Sequence, residues 1–190
     1  MTWTSTKSTL VLAVTLTAVL VAWPVPVLAD DAPLPEFVGA GGCKICHKKA
    51  ADGDQYGKWL TTGHAKAFET LGTPKAAEIA AAKGLEGSPQ ELDECLSCHV
   101  TAHGVEAERL GKKYKVEEGV GCESCHGAGG VYKKKAIMED REKSLAAGMI
   151  IPTEETCTTC HNDKSPTFAG FDYEKMREKI IHPKPPAAEG

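Results

Sequence analysis

The sequence predicts a mainly helical fold with much irregular chain between short helices. Its 190 residues contain no sustained alternation of apolar and polar side chains, the pattern that marks a half-buried strand. Helix-start signals recur instead: residues 88–91 read Ser-Pro-Gln-Glu, a capping box with proline at the first helical position, and residues 153–155 form a similar start. Because 19 glycines and 11 prolines interrupt the chain, the helices should be short.

The same signals predict the remaining elements. We expect an extended lead-in at residues 31–35, a turn at 39–42, a helix over about 55–71, another over 135–147 that stops at Gly148, and a last helix over 172–182. The last helix should press an apolar stripe onto the core, and this stripe consists of Tyr173, Met176, Ile180 and Ile181.

The N-terminal segment has the layout of a secretory signal. One basic residue, Lys7, precedes an apolar run over 10–23, and small residues at Val27 and Ala29 suggest cleavage before Asp30. The run is shorter than the roughly 20 residues that a membrane-spanning helix needs, although an uncleaved amphipathic anchor is the alternative. We therefore predict a signal peptide at 1–29, one domain at 30–182, a flexible tail at 183–190, and a periplasmic or extracellular protein without a permanent membrane anchor.

The charge balance limits the partners. A formal net charge of −4 argues against nucleic acid, because phosphate binding needs a basic face. Local lysine clusters occur at residues 112–115 and 133–135. Each is either a solvated surface or a patch that steers an acidic redox partner.

All eight cysteines fall in four copies of one pattern, Cys-x-x-Cys-His, and none is left over. Two cysteines three residues apart present both sulfurs on one side of a helical turn, where they reach the two vinyl groups of one haem, and the adjoining histidine points at the iron. The attachment pairs are Cys43 and Cys46, Cys95 and Cys98, Cys122 and Cys125, and Cys157 and Cys160. The corresponding iron ligands are His47, His99, His126 and His161.

Two other interpretations of the cysteines are weaker. A disulfide framework is usual for an exported chain with eight cysteines, but it leaves the four histidines unexplained. Zinc sites do not require a histidine directly after every second cysteine. The sequence therefore predicts four covalently attached haem c groups, and a small multihaem cytochrome c fold organised around them, since aromatic side chains make up only 6% of the chain and cannot fill a core.

Three histidines remain for the second axial position of four irons: His64, His103 and His182. On a helix His103 would project from the same face as His99, so it should serve a different iron. The iron without a distal histidine is either five-coordinate or bound by a methionine, with candidates Met138, Met149 and Met176.

Three stretches of the sequence resemble the tetrahaem cytochrome c-554 family, namely residues 59–67, 95–100 and 119–127. The resemblance implies that His64 is the distal ligand of the third haem, on His126, and His182 that of the fourth, on His161. It also implies a five-coordinate second haem, on His99, and haems packed edge to edge for electron hopping. The family places the distal histidine of its first haem between the third and fourth motifs, where this chain has none, so His103 is assigned to the first haem, on His47. Relative to the family, the chain also has extra residues around 51–56.

Electron transfer is the leading prediction of function, since bis-histidine irons have no free site, and redox proteins of unknown identity are the expected partners. One alternative is a redox enzyme that acts on a small nitrogen species, nitric oxide or hydroxylamine, at an open haem. Another is a subunit of an extracellular cytochrome filament.

Overall fold

The computed structural model describes Met1 and residues 34–182 of the chain. Almost all of the predicted signal peptide and the whole of the predicted tail, residues 183–190, lie outside the described residues. The described residues 34–182 belong to one compact unit.

The described residues form ten short α-helices and four single-turn 3₁₀ helices. The helices are α1 (Ala40–His47), α2 (Gln55–Leu60), α3 (Ala67–Leu71), α4 (Pro74–Ala82), α5 (Asp93–His99), α6 (Cys122–His126), α7 (Lys135–Met138), α8 (Arg141–Ala146), α9 (Glu154–Thr158) and α10 (Tyr173–Ile180). The 3₁₀ turns are Ala50–Asp52, His64–Lys66, Ala107–Arg109 and Val116–Glu118. No strand occurs within residues 34–182, where extended pairing is limited to one bridge between Phe37 and Leu110. The predicted mainly helical fold is confirmed.

The start of α1 differs from its prediction, because residues 40–42 are helical rather than part of a turn. Only Gly39 has a turn conformation, with φ at +75°, and a Cβ there would lie 2.7 Å from the Lys113 carbonyl oxygen. The first amides of the helix are bound by the Glu118 carboxylate, which accepts hydrogen bonds from Ala40 at 2.7 Å and Gly41 at 3.0 Å. A carboxylate at this end also complements the helix dipole, so the two glycines at positions 41 and 42 stay helical.

The single helix predicted over residues 55–71 is broken into α2, the 3₁₀ turn His64–Lys66, and α3. The hydroxyl groups of Thr61 and Thr62 donate back to the Lys58 and Trp59 carbonyl oxygens, both at 2.7 Å. Such local bonds compete with the helical hydrogen-bond pattern, and Gly63 follows them directly. The break turns His64 away from the axis of α2. Helix α4, which the sequence reading did not predict, follows α3 with Thr73 as its cap.

Helix α5 begins at Asp93 and not at the predicted capping box of residues 88–91. The Ser88 hydroxyl accepts from the Gln90 amide within a local turn, so it is not a helix cap. The helix predicted over 135–147 is two helices, α7 and α8, because Asp140 ends the first segment and caps the second. The predicted start at Thr153 and the last helix are confirmed: Thr153 forms a capping box with Thr156, and α10 begins after Asp172.

The polypeptide core of the described region is small. Its buried apolar side chains are Val38, Ala40, Ala67, Leu71, Ala80, Val100 and Tyr132. Half of the predicted stripe on α10 is exposed, since Met176 is 37% exposed and Ile181 48% exposed, whereas Tyr173 and Ile180 are half-buried. No helix within the described part of the chain is both long and apolar enough to span a bilayer.

Candidate haem-binding site

Each Cys-x-x-Cys-His motif lies on or at the end of its own short helix. The first three motifs occupy the last residues of α1, α5 and α6, and the fourth runs from α9 into the turn that follows it. In the fourth motif the His161 amide still donates to the Cys157 carbonyl oxygen at 3.0 Å, so the helical geometry continues to the histidine. Every pair of cysteine sulfurs is thus separated by about one helical turn, as thioether attachment to one haem requires.

Two motif histidines donate their Nδ1–H to backbone carbonyl oxygens. For His99 the acceptor is Ala67 at 2.8 Å, and for His126 it is Ile150 at 3.1 Å. In the neutral tautomer an acceptor at Nδ1 keeps the proton on that nitrogen and leaves the lone pair on Nε2, and this is the form of imidazole that binds iron. The donor set of these motifs therefore fits a haem iron.

The first motif uses a side chain for the same purpose. The Gln55 Oε1 atom lies 3.1 Å from His47 Nδ1, and the Gln55 amide nitrogen donates to the Asp52 carbonyl oxygen at 2.6 Å. Gln55 is only 8% exposed, so its orientation is fixed. It belongs to the segment around 51–56 that the family resemblance marks as extra, and no sequence pattern indicated that it would support a ligand.

Replacement of Gln55 by leucine should raise the reduction potential of the first haem by a few tens of millivolts. The variant loses the hydrogen bond between His47 and Gln55, which is worth about 1 kcal/mol, and the His47 imidazole then donates less electron density to iron. The ferric state therefore loses more stabilisation than the ferrous state. Potentiometric titration with visible spectroscopy measures this shift. The matched control is Gln90→Leu, since Gln90 donates to the Phe68 carbonyl oxygen and contacts no motif histidine in its described bonds. Equal shifts in both variants would contradict the assignment.

Two of the remaining histidines lie beside motif histidines. The ring centroids of His64 and His161 are 6.0 Å apart, and those of His182 and His126 are 5.9 Å apart. Two imidazoles that bind one metal from opposite sides through bonds of about 2 Å hold their centroids roughly 6 Å apart. Burial lowers the pKa of His64, and its neighbour His161 lowers the pKa further, which favours the neutral ring. Phe171 stacks on His161 at 4.9 Å.

These two pairs differ from the assignment that the resemblance implied. His64 was expected opposite His126 and His182 opposite His161, whereas the His64 ring lies beside His161 and the His182 ring beside His126. The chain at residues 61–63 is irregular, and sequence spacing does not determine its path.

Sulfurs of different motifs are in contact. A hydrogen bond joins the Cys43 and Cys122 thiols, and it raises the pKa of Cys43 while lowering that of Cys122. A second thiol contact joins Cys160 to Cys98. Burial, with the nearby Cys157 sulfur as the next cause, raises the pKa of Cys125 to about 11. These contacts order the motifs in space as first, third, fourth and second.

The third motif also anchors the N-terminal part of the domain. Glu123, inside the motif, is 4% exposed, and its carboxylate accepts from the amides of Val38 at 2.8 Å, Gly39 at 2.8 Å and Gly129 at 2.6 Å. It therefore joins α6 directly to the start of α1. The sequence reading did not single out Glu123, although an acidic residue within an otherwise small and polar motif was a visible signal.

His103 lies near the second and fourth motifs. Its Nε2 atom is 3.4 Å from Asp93 Oδ1, and it lines a cavity of about 270 Å³ together with Cys98 and Cys160. None of the residues that line this cavity comes from the first motif. Coordination of the first iron by His103 stays a prediction, and the contacts of His103 lend it no support.

Comparison with known proteins agrees with this geometry. Residues 42–127, which contain the first three motifs, match the family model described as cytochrome c554 and c-prime. The chain is 31% identical over 154 residues to cytochrome c-554 of Nitrosomonas europaea, a match that covers 70% of this chain and 60% of the relative. The solved structure of reduced cytochrome c554 from Nitrosomonas europaea matches with a TM-score of 0.58 at 25% identity, over 79% of this chain and 86% of that one.

The chain is similar to the cytochrome c-554 family. The resemblance drawn from three short stretches is thereby confirmed, and so is the multihaem cytochrome fold. The chain carries four covalently attached haem c groups, for which its eight cysteines provide the four attachment motifs. The chain spans about three fifths of the length of the curated relative, and the fourth motif lies beyond the segment that the family model matches.

One methionine candidate for the open axial position has another contact. The Met176 sulfur lies 3.6 Å from Lys179 Nζ on the exposed side of α10. This contact favours a surface position for Met176 over a ligand.

Proposed function

We propose that this chain is a periplasmic electron carrier, exported by the signal at residues 1–29 and passing single electrons between redox partner proteins. The observation that carries this proposal is the contact between sulfurs of different motifs. Cys43 touches Cys122 and Cys98 touches Cys160, while Cys125 lies near Cys157. Haems attached at neighbouring sulfurs would lie close together. Electrons could therefore pass along the motifs in the order first, third, fourth and second without a long gap between haems.

The residues around each motif support a carrier by keeping its histidines fixed. Bound haem supplies the one-electron change between ferric and ferrous iron. The chain contributes imidazoles that are held by Ala67, Ile150 and Gln55 through Nδ1. His64 with His161, and His182 with His126, would hold two of the irons between paired histidines. Such sites would leave substrate no free position and would need little rearrangement of the chain.

A host able to mature c-type cytochromes provides the material for the decisive experiment. The purified protein should have the mass of residues 30–190 plus four haems, and reductive titration should take up four electrons per chain. The oxidised spectrum should contain low-spin signals from at least the two irons with paired histidines. A colourless product with the mass of the polypeptide alone would contradict the proposal. A product with fewer than four haems would show that the corresponding motif does not attach haem.

One observation favours a second candidate, a redox enzyme acting on nitric oxide or hydroxylamine. His103 and its partner Asp93 form an acid-base pair at the cavity beside Cys98 of the second motif, where the family resemblance implies an open iron. A high-spin ferric signal that shifts on addition of nitric oxide, together with turnover of it, would support the enzyme. Low-spin signals from all four irons would exclude it.

A further inference from the structure

We propose that the surface around α1, at the first motif, docks an acidic redox protein, and that electrons from such a partner enter or leave the chain there. This inference rests on the proposed function in electron transfer. It adds the place of exchange and the charge of the partner, neither of which follows from the haem motifs themselves.

A cluster of exposed positive charge surrounds the first motif. Its members, called here the α1 lysines, are Lys44, Lys48 and Lys49. None of the three forms an ion pair within 4.0 Å with an acidic residue of the described chain. Lys44 lies over the Tyr56 ring, with Nζ 5.2 Å from its centroid, a contact that keeps the full charge. The cluster is therefore free to attract carboxylates of a partner.

Three carboxylates near this surface are bound by the chain itself. Asp54 accepts a hydrogen bond from the Gly57 amide at 3.0 Å and so caps α2. Glu118 and Glu123 are turned inward, where backbone amides at the start of α1 bind their carboxylates. Asp52 is the acidic residue nearest to Lys49 in sequence, and within the described chain it forms no ion pair with the α1 lysines.

An apolar centre lies between the α1 lysines. Ile45 is 59% exposed, and the adjacent Cys46 sulfur, an attachment point of the first haem, is also on the exposed side. An apolar centre with a charged rim is the usual composition of a transient protein interface, in which the rim steers encounter and the centre excludes water. Cys46 is exposed, whereas the other seven motif cysteines are half-buried, so this centre contains the most accessible attachment sulfur.

Negative charge surrounds the motifs that lie farthest along the spatial order from the first motif. The second motif is flanked by exposed Glu91, Asp93 and Glu94, and the fourth by exposed Glu154 and Glu155. After burial, the charge of Glu94 is the next cause that raises the pKa of Cys95, so the acidic field reaches the attachment sulfur. An acidic partner is repelled from this end, and the sign of the surface therefore selects the first motif as its point of contact.

The test measures reduction of the four-haem protein by a reduced acidic plant-type ferredoxin in a stopped-flow instrument. The variant is Lys44→Gln with Lys49→Gln, which removes two charges without altering a motif cysteine or histidine. Its matched control is Lys133→Gln with Lys134→Gln, an equally exposed pair. At low ionic strength the first variant should react about tenfold more slowly than the unchanged protein, whereas the control should change less than about twofold. The rate of the unchanged protein should fall as salt is added.

Dithionite, a small reductant, separates the two ways in which the result can fail. Suppose that dithionite reduces all proteins equally. If ferredoxin then reduces both variants more slowly by the same factor, or if its rate with the unchanged protein does not respond to salt, the docking surface is wrong while the carrier function stands. If dithionite itself does not reduce the unchanged protein, the proposed function is wrong. A partly misfolded variant would be recognised by an altered Soret spectrum, and Lys44→Gln alone then provides the comparison, with a loss of about threefold expected.

Discussion

Replacement of Glu123 by glutamine lowers the free energy of unfolding by about 3 kcal/mol, the largest effect expected from a single side chain outside the motif cysteines and histidines. The Glu123 carboxylate accepts three backbone hydrogen bonds in a site where it is 4% exposed. Glutamine has one acceptor oxygen, and its NH₂ group would face an N–H donor of Val38 or Gly39. At least one buried amide then lacks a partner, and the start of α1 loosens from α6.

Urea unfolding of the four-haem protein, followed by circular dichroism, measures this loss. The control is Glu117→Gln, which changes the charge equally at an exposed neighbour of Glu118. It should alter the free energy of unfolding by less than about 0.5 kcal/mol. If the two variants unfold at the same urea concentration, Glu123 does not anchor the domain.

Replacement of His64 by glycine converts one low-spin ferric iron to a high-spin iron. The ring of His64 is 6.0 Å from that of His161, and removal of its nitrogen leaves the position opposite His161 open. Electron paramagnetic resonance of the oxidised protein detects the change. Added imidazole should restore the low-spin signal, an effect that a purely structural role of His64 would not produce.

The same variant decides between the two possible partners of His64. The double substitution Cys157→Ala and Cys160→Ala prevents attachment of the fourth haem. On that background His64→Gly should add no high-spin signal, because the iron that lost its ligand is no longer there. An additional high-spin signal would show that His64 binds the third iron, on His126, and would contradict the pairing observed in the structure.

The sequence predicted the parts of the site that depend on local spacing. The starts at Thr153 and Asp172 depend on local caps, and both predictions are confirmed. The attachment cysteines and the adjacent histidines depend only on the spacing of one helical turn, and their roles stay predictions. The prediction of one helix over 55–71 was wrong because the Thr61 and Thr62 hydroxyl groups donate to nearby carbonyl oxygens. Hydrophobic periodicity does not reveal such hydrogen bonds.

The partners of the distal histidines depend on contacts between distant segments, and sequence spacing alone could not determine them. His64 and His161 are almost a hundred positions apart, and the path of irregular chain between them sets their approach. Gln55 and Glu123 were missed for the same reason. Each acts through an acceptor atom whose donor is determined only when the chain folds.

The small polypeptide core has a consequence for biogenesis. Seven buried apolar residues, three of them alanines, give the described region little reason to collapse before its cofactors are joined to it. A freshly synthesised chain should thus stay open to proteases and chaperones until the ligation machinery has acted. Its abundance in a cell would then follow porphyrin supply more closely than transcript level.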